Sequence, residues 1–152
     1  MSKADVQAIS LLVVVAGSFV CMEKGFPHLP APLREKICNV RERVFTSIEL
    51  YPSDKGDARP INEIVDKVTK WEEVLEKHNL GWSMIFLLAA SSQCLADLLG
   101  KLKNKYKISL IEPLMEDVNG LIGILDHGKN YEYYDKVADV LYDFYKIIGF
   151  QE

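Results

Sequence analysis

The strongest constraint on this chain is an uncharged, mostly apolar run from Ala8 to Met22, preceded by Asp5 and followed directly by Glu23. Its middle, Leu11 to Ala16, is apolar all round a helix, and such a helix needs packing partners on every side. A second segment of the same kind, Trp82 to Ala90, continues with one apolar side through Leu95, Leu98 and Leu99 to Leu102. Both carry small residues in mid-span (Ala16, Gly17, Ser18; Ala89, Ala90, Ser91, Ser92), which let two buried helices approach closely. The two segments are therefore expected to touch at the centre of one core. A chain of 152 residues with 49% hydrophobic composition is ordinarily one domain with enough interior to need no metal or disulfide. The fold expected is all-α, residues 1–152 forming a single-domain bundle of about six helices with two central apolar helices.

The first run is about 15 residues long, short of the roughly 20 a bilayer span requires. Lys3 is a thin basic start for a signal peptide, and Ala16-Gly17-Ser18 is a weak cleavage site. The expectation is a core helix with no membrane partner. Cys21, Cys38 and Cys94 are odd in number and lack a C-x-x-C pair, which suits a reducing, cytoplasmic location. The scattered His28, His78 and His127 offer no zinc spacing.

The remaining helices follow from periodicity. Leu33, Ile37, Val40, Val44 and Ile48 form one stripe of a second helix, with Pro32 at its first position. Pro52 to Pro60 has turn chemistry. A third helix carries Ile61, Ile64, Val68, Trp71 and Leu75 on one face and stops near Asn79-Leu80-Gly81. Ser109 with Glu112 forms a capping-box pattern, and Pro113 suits a first turn, so the fifth helix is expected to begin at 109–112 and end near Asp126.

The net charge is −4, against a general nucleic-acid trap, so a nucleic-acid partner is not expected. The basic cluster Lys101, Lys103, Lys105 and Lys107 is read as cations offsetting the negative end of the fourth helix, with a phosphate or nucleic-acid patch as the alternative.

The last helix, about Tyr131 to Ile148, sorts into three strips at 100° steps. Tyr133, Val137, Val140, Leu141, Phe144, Ile147 and Ile148 make the core face. Tyr131, Tyr134, Ala138, Tyr142 and Tyr145 lie beside it, and Glu132, Asp135, Lys136, Asp139, Asp143 and Lys146 form a solvated face. The two nonpolar strips cover about 220°, more than the stripe of roughly 100° or a little over that a surface helix needs. Tyrosine is amphipathic and enriched at interfaces, so Tyr131, Tyr134, Tyr142 and Tyr145 are candidate contacts for a protein partner or a second copy. Tyrosines at the edge of a monomer core, with hydroxyls in water, would give the same pattern.

No phosphate-cradling glycine loop, nucleophile elbow, H-E-x-x-H or calcium loop occurs. One constellation, Glu116-Asp117-Val118-Asn119-Gly120 followed by Lys136-Val137-Ala138-Asp139, resembles the paired acidic motifs of the all-α nucleoside triphosphate pyrophosphatases of the MazG type. The resemblance covers about 35 C-terminal residues. It implies magnesium held by carboxylates on neighbouring helices, with Asp117 in the first position and Asp139 in the last. Gly120 and Lys136 stand where the family has its other two acids. Spacing alone offers a nearby set, Glu112, Glu116, Asp135 and Asp139, at i, i+4 on each helix. If Asp117 is a core-edge residue instead, it needs a hydrogen-bond partner or a place at the rim. The leading expectation is a non-enzymatic regulatory or inhibitory interaction protein without a cofactor. The alternative is a divergent magnesium-dependent nucleotide hydrolase.

Overall fold

A computed structural model describes residues 3–50, 61–78, 84–126, 139–144 and 146. It contains α1 (Lys3–Gly25), α2 (Ala31–Leu50), α3 (Ile61–Lys77), α4 (Met84–Lys101) and α5 (Lys105–Asp126). A sixth helical stretch, α6, covers 139–144, and no strand occurs among the described residues. The architecture is an all-α bundle. The expected loop at Pro52–Pro60, the stop at Asn79–Gly81 and Trp82 lie outside the described residues.

Helix α1 packs against α2, α3 and α4, which explains why its sequence is apolar on every side. Leu12, Val13, Val14, Val15, Ala16, Phe19, Cys21 and Met22 are all completely buried. Helix α4 packs on α1 and on α5, with Phe86, Leu87, Ala89, Ala90, Cys94 and Leu95 fully inside. The two central helices do touch. Helix α2 adds Ile37, Val40, Val44 and Ile48 from the expected stripe, and α3 adds Val68, Trp71, Val74 and Leu75.

Three details correct the sequence reading. Gly17 is closest to α3: a Cβ there would lie 2.8 Å from Cδ1 of Trp71, so the missing side chain is where the indole seats. Helix α5 begins four residues before Ser109. Asn104 caps it, its Oδ1 accepting from the Tyr106 and Lys107 N–H groups at 2.9 and 3.2 Å, while the Ser109 hydroxyl donates to the Tyr106 carbonyl at 2.6 Å. Pro113 thus sits inside the helix. It is tolerated because it and Ser109, whose carbonyl it leaves without a helical donor, are exposed. Helix α2 starts at Ala31, with the Pro30 carbonyl accepting from Leu33 and Arg34, so Pro32 is its second residue.

The length argument also changes. Gln7–Gly25 and Met84–Lys101 are 19 and 18 residues long with mean hydropathy 1.7 and 1.3, long and apolar enough to cross a membrane. Within the bundle 78% and 56% of those windows are buried.

Candidate functional site

The described part of α6 meets the bundle through Trp71. This indole is fully buried against Gly17, its Nε1–H donates to the Ser18 Oγ at 3.1 Å, and Phe144 meets it edge-on at 5.3 Å between ring centroids. One residue of α3 thereby joins α1 to α6. Val140, Leu141 and Phe144 are buried, as the core strip requires.

Beside this contact, His78 at the end of α3 lies 2.6 Å from Asp143 through Nε2, and Lys77 approaches the same carboxylate at 3.7 Å. The bond to His78, aided by Lys77, holds the Asp143 carboxyl below its ordinary range. Asp143 therefore departs from the solvated face expected for it and helps fix α6 on α3. No local pattern marks a pair separated by 65 residues. Trp71 was visible only as one member of a stripe, although the pairing of a tryptophan with a Gly-Ser step is the signal that matters.

The outer side of α6 is represented by Tyr142, which is 62% exposed, the largest value for a large hydrophobic side chain among the described residues. Its ring carries the Lys146 ammonium 4.4 Å from the centroid. Tyr131, Tyr134 and Tyr145 lie outside the described residues.

Of the acidic candidates, Glu112 and Glu116 are exposed on α5, and Asp139 is exposed on α6. Asp117 is half-buried and forms an ion pair with Arg43 of α2, which supplies the partner a core-edge carboxylate needs. Asp135 lies outside the described residues. Among the described residues no three His, Cys, Asp or Glu side chains come together as a metal-binding group. The Arg43–Asp117 pair instead lines an open groove of about 360 Å³ between α2 and α5, with Lys36, Asn39, Val40 and Glu42. Cys21 and Cys94 are buried away from chemistry, the Cys21 thiol pushed up to about 12 by burial and the Cys94 thiol raised further by the same cause.

Comparison with protein-family models, with curated proteins and with solved structures gives no match for this chain.

Proposed function

We propose that this chain is a non-enzymatic helical interaction protein, regulatory or inhibitory in role, that binds a protein partner or a second copy through the outer face of its last helix. The observation that carries the reading is the division of α6: Val140, Leu141 and Phe144 are buried while Tyr142 stays 62% exposed. A ring left in water beside a filled core is surplus to the packing of the subunit. Tyrosine there offers large contact area at small entropic cost.

The test combines light scattering across a concentration series with partner pull-down, for the parent and for Tyr142→Ala. Because Tyr142 is exposed and loses only the Lys146 contact, the substitution should alter stability by no more than about 1 kcal/mol. Self-association or partner capture should nevertheless weaken at least tenfold. A strictly monomeric protein with no partner sensitive to Tyr142→Ala would remove the proposal. The magnesium-dependent hydrolase remains the competing reading, and calorimetry with Mg²⁺ and a nucleotide panel separates the two, since heat and turnover belong only to the enzyme.

A further inference from the structure

The turn between α4 and α5 gathers the four lysines of the basic cluster at one corner of the bundle. Helix α4 ends at Lys101 and α5 begins at Lys105, so only Leu102, Lys103 and Asn104 separate them. Compensation of a helix dipole accounts for Lys101, at the negative end of α4. It does not account for Lys105 and Lys107, which fall in the first turn of α5, at the positive end, where cations are disfavoured. That turn contains no acidic residue. Lys101, Lys103 and Lys105 are exposed and form no ion pair among the described residues. Tyr106, between Lys105 and Lys107, is 48% exposed.

We propose that this corner is a docking surface for an anionic lipid bilayer, engaged peripherally by the lysines with Tyr106 at headgroup level. Charge complementarity identifies the partner as polyanionic, since four cations concentrate here in a chain whose net charge is −4. Shape selects among polyanions. The cations surround a chain reversal at one corner instead of running as a track along a helix, so they suit a flat sheet of phosphates better than a polynucleotide strand, which is bound along a groove. An exposed tyrosine among lysines is the amphipathic combination favoured at a membrane interface. Each lysine within a Debye length of an anionic leaflet raises partitioning about fivefold, so the exposed Lys101, Lys103 and Lys105 give an enhancement of about a hundredfold that salt abolishes.

The experiment is sedimentation of the full chain with phosphatidylcholine vesicles and with vesicles containing 30% phosphatidylserine, in about 20 mM and about 500 mM NaCl. Binding is expected only to the anionic vesicles at low salt. Lys103→Glu/Lys105→Glu should lower it at least 25-fold. Both positions are exposed, and unchanged circular dichroism and melting temperature verify that the variant is folded. Lys36→Glu, a change of the same sign in the α2–α5 groove beside Asp117, twelve residues along α5 from Lys105, should lower binding no more than threefold. Tyr106→Ala should weaken it a few-fold without altering the salt dependence. The proposal is overturned by absence of binding to anionic vesicles at low salt, or by equal sensitivity to Lys36→Glu and to a single reversal at Lys105. It is equally overturned if a fluorescent single-stranded oligonucleotide, and no vesicle, binds in a manner dependent on Lys103 and Lys105.

Discussion

Gly17→Ala tests the seating of Trp71 because two opposed effects of known size meet at that position. Alanine favours a helix interior over glycine by about 0.8–1.0 kcal/mol. The new Cβ, however, would lie 2.8 Å from Cδ1 of Trp71, closer than carbon atoms can stand. The indole cannot swing aside cheaply: it is fully buried, tied to Ser18 through Nε1 at 3.1 Å and flanked by Phe144 at 5.3 Å. Overpacking of this kind costs about 1–3 kcal/mol, so the net effect should run from near zero to about 2 kcal/mol of destabilisation. Gly123→Ala supplies the reference, since it carries the same propensity gain and its Cβ meets nothing within 4 Å. It should stabilise by about 0.5–1 kcal/mol. The difference between the two variants, about 1–3 kcal/mol, isolates the clash, and for a chain of this size it corresponds to a melting-temperature gap of roughly 2–12 °C. Urea denaturation monitored by circular dichroism measures both. A Gly17→Ala protein as stable as Gly123→Ala, with an unchanged m-value, would refute the Trp71 seat.

Ser18→Ala leaves the buried indole N–H of Trp71 without its acceptor and should cost about 1–3 kcal/mol by the same urea assay, whereas Thr46→Ala, on an exposed turn of α2, should cost less than about 0.5 kcal/mol. Asp143 has a lowered pKa in the folded chain, so its stabilisation is fully present above the unfolded value near 4 and is lost as pH falls through the folded value. Asp143→Asn should therefore flatten the decline of urea midpoints below pH 4, and an unchanged decline would contradict the His78 contact. With a thiol reagent at pH 8, Cys38 should react in the native protein, while Cys21, raised to about 12, and Cys94, also raised by burial, should react only on unfolding. Two or three thiols reacting at the native rate would show that the core is not as closed as described.

What was legible in the sequence was whatever burial writes into periodicity. All-round apolarity placed α1 and α4 at the centre, and the i, i+3, i+4 stripe of α2 named Ile37, Val40, Val44 and Ile48 as core. Partner choice was harder to read, because a small residue shows that something approaches closely without saying what. Gly17 accepts a tryptophan from α3, although α4 is also adjacent to α1. The start of α5 was misplaced for a different reason. Ser109 and Glu112 have capping chemistry, yet Asn104 has it too, and an exposed proline inside a helix costs less than one whose lost bond leaves a buried carbonyl. At the candidate site, the core positions Val140, Leu141 and Phe144 were readable from the repeat of α6, but the His78–Asp143 pair and the Arg43–Asp117 pair depend on tertiary contacts that no local pattern encodes. Asp117, read as a carboxylate in search of a partner, found a guanidinium.

The geometry around Trp71 also bears on how an interaction at α6 would operate. Phe144 and Asp143 fix the inner side of this helix to α3, one by ring contact and the other through His78 and Lys77. Detaching α6 would uncover a fully buried Phe144 and one side of Trp71, and losing a ring of that size from a core costs about 3–5 kcal/mol. A partner that had to peel the helix away would begin with that penalty. A partner meeting Tyr142, which already stands in water, would not, because the helix that presents it is ordered by contacts on its opposite side. If α6 binds a partner as proposed, docking beside the exposed Tyr142 would therefore be favoured over exchange of the helix itself, because the described stretch is already held by Phe144 and Asp143.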